Sequence, residues 1–125
     1  MSEQNQILVT GVPGPVLDAD TAALFRRIQP GGYILFGRNM ATPSQLRKLI
    51  DDLRDLSHTE PMIMIDEEGG RVSRLRQLGH GLPGAQEFRV RGDLDLVERH
   101  GRLTAQLMRL FGLNFNLAPV IEVSL

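Results

Sequence analysis

Pro61-Met62-Ile63-Met64-Ile65-Asp66 is the most telling run of this chain: four apolar residues, entered through a proline and left through a carboxylate. A run that is apolar at every position suits a strand covered on both faces, as in a parallel sheet. A second such run, Tyr33-Ile34-Leu35-Phe36, begins 29 residues earlier. That is the length of one strand-helix-strand unit. The stretch between them carries the marks of the helix. Thr42 can cap it, Pro43 suits its first position and Gln45 completes a capping box. Leu46, Leu49, Ile50, Leu53 and Leu56 form its apolar stripe, with Arg47, Lys48, Asp51, Asp52, Arg54 and Asp55 on the wet side.

Towards the N-terminus, Ile7 to Val9 reads as a first strand closed by Gly11, Pro13, Gly14 and Pro15. Asp18 is a helix N-cap; Leu17, Thr21, Leu24, Phe25 and Ile28 share a face, and Pro30-Gly31-Gly32 ends the helix. Towards the C-terminus, Glu67 to Gly92 is rich in glycine and arginine and has no sustained period. It reads as a long functional loop with a short hairpin. Asp93 then caps a third helix with Leu96, Val97, His100, Leu103, Thr104, Leu107, Leu110 and Phe111 towards the core, and Gly112 stops it. Leu113, Phe115 and Leu117 lead into a fourth strand through Pro119-Val120-Ile121-Glu122-Val123. The expected fold is α/β, with about four parallel strands and three helices. Ending straight after a strand suits residues 1–125 as the N-terminal half of a (β/α)8 barrel better than a complete doubly wound domain.

A net charge of -1 offers nothing to nucleic acid or an anionic membrane, and one Tyr with no Trp leaves no basic-aromatic interleaving. The absence of cysteine excludes disulfides, thiolate metal sites and cysteine nucleophiles. The polar start lacks a basic n-region, and Ile7 to Val9 is too short for a signal peptide or a membrane span. A soluble, cytoplasmic protein is expected.

In parallel α/β folds, ligand groups gather at the carboxyl ends of strands. Three polar clusters fall there: Gly37-Arg38-Asn39, the segment Asp66 to Arg74, and Glu122. Asp66 should stand at the mouth of the sheet. Gly69 and Gly70 let a ligand approach, and Arg71 and Arg74 offer donors. A carboxylate and a guanidinium converging on one pocket suit a sugar, whose hydroxyls donate and accept. The alternative is a salt bridge that merely pins a loop. Asp66, Glu67 and Glu68 are poor chelators of Mg²⁺ or Ca²⁺, because neighbours on an extended chain point in opposite directions. No phosphate-binding glycine motif occurs. No metal or cofactor is expected. Of the histidines, His58 reads as solvated, His80 as a candidate ligand contact and His100 as a packing residue. Met62 and Met64 read as core.

Three segments now stand in a telling order: Gly32-Tyr33-Ile34-Leu35-Phe36-Gly37-Arg38-Asn39, Asp66-Glu67-Glu68-Gly69-Gly70-Arg71-Val72-Ser73-Arg74, and Ala118-Pro119-Val120-Ile121-Glu122-Val123. Together, with Leu82-Pro83 between them, they resemble the N-terminal domain of glycoside hydrolase family 3, and within it the bacterial β-N-acetylglucosaminidase branch. The resemblance implies a (β/α)8 barrel of about 250 residues, of which this chain supplies half. It implies that Asp66 binds hydroxyls of the non-reducing sugar and that Arg74 helps to hold it, with Arg38, Asn39, Arg71 and Glu122 as further pocket candidates. It implies a retaining hydrolase whose aspartate nucleophile lies on a later strand. Its histidine acid/base lies in a Lys-His-x-Pro-Gly type loop. Neither segment is present, so no residue here is assigned to catalysis. Glu67 stands where glutamine is common, and Glu122 where aspartate is usual. The implied substrate carries terminal β-linked N-acetylglucosamine. A β-glucosidase of the same family and a non-catalytic half-barrel remain open. The half-barrel would bind sugar or self-associate through its open strand edges.

Overall fold

A computed structural model describes residues 6–121. Four strands, β1 (Val9–Gly11), β2 (Gly32–Leu35), β3 (Met62–Ile65) and β4 (Phe115–Asn116), form one parallel sheet in the order β1-β2-β3-β4. Spatial order equals chain order. Repeated right-handed crossovers in one direction keep the connecting helices on one side. Those helices are α1 (Ala19–Ile28), α2 (Pro43–Leu56) and α4 (Leu94–Phe111), with a shorter α3 (Ala85–Arg91) before the last. The result is an α/β half-barrel.

The strands alternate as their pleat requires. Tyr33, Leu35, Ile63 and Ile65 join Leu46, Leu49, Ile50 and Leu53 of α2, Phe25 of α1 and Met108 and Phe111 of α4 in one core. On the other face, the one that a closed barrel would enclose, Ile34 is partly open and Met64 is buried, whereas Met62, expected in the core, is exposed. α2 forms as its sequence dictates. Thr42 Oγ1 accepts from the Gln45 N–H at 3.1 Å, and Gln45 Oε1 accepts from the Ala41 N–H at 2.7 Å. Four of its leucines and isoleucines are at most 1% exposed, and each contributes on the order of 2 kcal/mol by burial. Asp18 caps α1 through the Thr21 N–H, although Leu24 lies on the exposed side.

Four further expectations are corrected. The first strand is Val9–Gly11, two residues later than the apolar run Ile7 to Val9, both flanks of which are exposed. The segment after β3 is not all loop. It makes a tight turn in which the Glu68 N–H donates to the Val72 carbonyl at 2.9 Å, then a 3₁₀ turn at Leu75–Leu78, and then α3, a fourth helix. The fourth strand is Phe115–Asn116, paired with Met64 and Ile65. It does not run through Pro119, which lacks the N–H that a ladder needs. Finally, α4 buries only part of its expected stripe: Thr104 and Phe111 are covered, Leu103 and Leu110 are exposed, and Met108, outside the expected stripe, is buried. No helix among the described residues is long and apolar enough to cross a membrane.

Candidate functional site

At the end of β3 the chain keeps alternating. Ile65 enters the core, Asp66 faces the mouth of the sheet, and Glu67 turns back under the following loop, where it is 2% exposed. The loop returns Arg74 to Asp66, and Arg74 Nη2 donates to Asp66 Oδ2 at 3.2 Å. Both side chains keep about a quarter to a third of their surface in water. Phe36, at the end of β2, supplies an aromatic surface beside them. The Arg74 guanidinium lies 6.0 Å from its ring centre and that of Arg38 lies 4.8 Å away. Arg38 is held by the Val12 carbonyl, to which its Nε donates at 3.1 Å. The ends of β1, β2 and β3 thus assemble one carboxylate, two guanidiniums and one ring.

Arg74 Nε and Ser73 Oγ are buried without a partner among the described residues. A hydroxyl-rich ligand supplies acceptors for the guanidiniums, donors for the Asp66 carboxylate and a C–H face for the ring. Next to the pair, burial and then the neighbouring Asp66 carboxylate push Glu68 above the ordinary glutamate range, while Arg74 and Arg71 pull it back.

The other candidates fall differently. Asn39 is fully buried. Its Nδ2 donates to the Val12 and Gly14 carbonyls at 3.0 and 2.8 Å, and its Oδ1 accepts from the Phe36 N–H at 2.9 Å. It is a brace tying the β1 loop to the end of β2, with no surface to give a ligand. Arg71 is exposed and makes no ion pair among the described residues. It borders a recess of about 500 Å³ with Glu68, Gly70, Gly84 and Glu87. Glu122 lies outside the described residues. Among the described residues no group of three His, Asp or Glu side chains is placed to hold a metal ion.

His58 is exposed, and His80 packs against Phe111 with ring centres 6.1 Å apart. His100 does pack, 4.7 Å from the Phe88 ring. It also lines a groove of about 340 Å³ with Glu67, Thr104, Met108, Asn116 and Pro119. Burial lowers its pKa and the charge of Glu67 partly restores it. Asp66 and Arg74 line neither recess; they sit on the open rim between the strand ends.

Sequence reasoning missed Glu67, Phe36 and Asn116. The Glu67 N–H donates to Asn116 Oδ1 at 3.1 Å, and Asn116 Nδ2 donates back to the Glu67 carbonyl at 3.0 Å. The available signal was the alternation itself: if Asp66 faces the mouth, Glu67 must face inward.

Residues 3–125 match the family model described as the glycosyl hydrolase family 3 N terminal domain. A β-hexosaminidase of Methylococcus capsulatus is 39% identical over 113 residues, covering 88% of this chain and 34% of that protein. A glycoside hydrolase family 3 β-N-acetylglucosaminidase from a Paenibacillus species superposes with a TM-score of 0.86 at 30% identity, over 95% of this chain and 24% of that one. NagZ of Neisseria gonorrhoeae, in complex with N-trifluoroacetyl-D-glucosamine, superposes with a TM-score of 0.76 at 26% identity, over 90% of this chain and 34% of that one. The chain spans about a third of the length of the curated relatives it matches.

Proposed function

This chain belongs to glycosyl hydrolase family 3, and on that premise we propose that the complete protein hydrolyses terminal, non-reducing β-linked N-acetylhexosamine residues. The observation that carries the reading is the Asp66–Arg74 pair beside Phe36 at the carboxyl ends of adjacent strands. This chain holds the sugar; it does not cleave the bond. Asp66 accepts from sugar hydroxyls and Arg74 donates to their oxygens, which fixes the ring relative to groups supplied from elsewhere in the protein. The retaining reaction needs a carboxylate nucleophile and a separate proton donor, and no described residue is assigned to either role.

The names of the similar proteins favour N-acetylglucosamine over glucose. The complete gene product, assayed on aryl β-glycosides of both sugars, is expected to release aglycone from the N-acetylglucosaminide. Cleavage of neither sugar sinks the reading. Cleavage of the glucoside alone moves the protein to the β-glucosidase side of the family.

A further inference from the structure

Glu67 is among the most enclosed charged side chains of the chain, and holding a sugar does not by itself require it. Its Oε2 accepts from the Leu75 N–H at 2.8 Å, at the first residue of the 3₁₀ turn. Its neighbour Asp66 meets Arg74, the residue before Leu75, at 3.2 Å. Two rungs therefore join the same two stretches of chain, each spanning eight residues: a side chain to side chain rung on the surface and a side chain to backbone rung beneath it. The lower rung is also fixed from behind, because Asn116 of β4 grips the Glu67 backbone by both its N–H and its carbonyl.

The upper rung alone is weak. A partly exposed ion pair of two flexible side chains does not hold a guanidinium in one place. The lower rung can do so, because it is buried and fixes the backbone one residue from Arg74. It carries a cost, however. Among the described residues Glu67 Oε1 is buried without a hydrogen-bond partner, on a residue that lines the same groove as His100, and an orphaned buried oxygen is unfavourable. An apolar side chain of the same size would remove that oxygen but leave the buried Leu75 N–H without an acceptor.

We propose that Glu67 is a positioning residue for the sugar clamp: it sets where Arg74 stands opposite Asp66 by holding the Leu75 N–H. The chemistry needed is one buried acceptor, so glutamine should serve and leucine should not. The sugar-binding half of this inference rests on the proposed function; the positioning half does not.

The test uses the complete gene product as wild type, Glu67→Gln and Glu67→Leu. Each is measured for kcat and KM on an aryl N-acetyl-β-glucosaminide, for melting temperature, and for the Arg74 guanidinium N–H signals by NMR. The expected result is a KM raised about ten- to a hundredfold in Glu67→Leu with kcat little changed, because a clamp that binds ground and transition states alike acts on KM. Glu67→Gln restores KM to near the wild-type value. An unchanged KM in Glu67→Leu overturns the proposal. So does a Glu67→Gln variant as impaired as Glu67→Leu with an equal fall in melting temperature, since Glu67 would then be structural only. If the wild type cleaves no N-acetylglucosaminide, the proposed function fails, and the NMR signals decide positioning. Arg74 signals kept in Glu67→Gln and averaged in Glu67→Leu uphold it; signals unchanged in both overturn it.

Discussion

Asn116 and Glu67 exchange two hydrogen bonds, a side-chain amide reading both the N–H and the carbonyl of one residue across the β3–β4 seam. The seam needs the help, because β4 is only two residues long. Asn116→Ala would leave both groups unsatisfied in a half-buried position. A loss of about 1–3 kcal/mol is expected, read by urea denaturation. Asn116→Asp keeps the acceptor but turns a carboxylate oxygen towards the Glu67 carbonyl, and should be at least as destabilising as alanine.

Arg74→Ala and Asp66→Ala should separate binding from stability. Their pair is partly exposed, and such pairs are worth at most about 1 kcal/mol to the fold. A charged hydrogen bond to a bound ligand is worth about 1.5–3 kcal/mol, or about ten- to a hundredfold in affinity. Titrating N-acetylglucosamine against each variant should show that fall with a nearly unchanged denaturation midpoint. A large drop in stability with intact binding would reduce the pair to a loop pin.

Gly69 has a backbone φ of 77°, and a Cβ added there would lie 2.0 Å from the Pro83 carbonyl oxygen. Gly79, at a φ of 87°, has nothing within 4 Å of an added Cβ. Gly79→Ala should therefore cost about 1–2 kcal/mol for its conformation alone. Gly69→Ala should cost about 3 kcal/mol or more, since the Leu82–Pro83 backbone must also move. Equal thermal shifts in the two variants would mean that Pro83 yields freely.

His100 is held below the ordinary histidine range by burial, with the Glu67 charge opposing. A basic group lowered in the folded state contributes stability above its unfolded pKa and loses it as pH falls through the folded one. Wild type should therefore weaken as pH drops from about 6.5. His100→Phe, which keeps a ring against Phe88, should weaken less over the same range. Parallel melting curves against pH in the two proteins would contradict this.

What could be read from the sequence was local. α2 announced itself because its cap, its box and its stripe all lie within fifteen residues. Asp66 was legible because a carboxylate directly after a fully apolar run has one place to go. α3 was hidden because it buries none of its residues and so shows no stripe; its one sign was Glu87, whose Oε1 accepts from the Gly84 N–H at 3.1 Å. Asn39 looked like a pocket residue, but its partners Val12 and Gly14 lie 27 and 25 positions away. Only the folded sheet brings them together. The same distance hid the link from Glu67 to Asn116.

Because the strands lie side by side in the order in which they are synthesised, the sheet can be laid down as the chain leaves the ribosome. The Asp66–Arg74 and Glu67–Leu75 rungs each close within one nine-residue stretch and can form as soon as β3 has docked. The Asn116 grip on Glu67 spans 49 positions and cannot form until β4 emerges. A nascent chain halted before Asn114 should therefore carry a formed but unlocked clamp, with the Glu67 amide open to exchange until the fourth strand arrives.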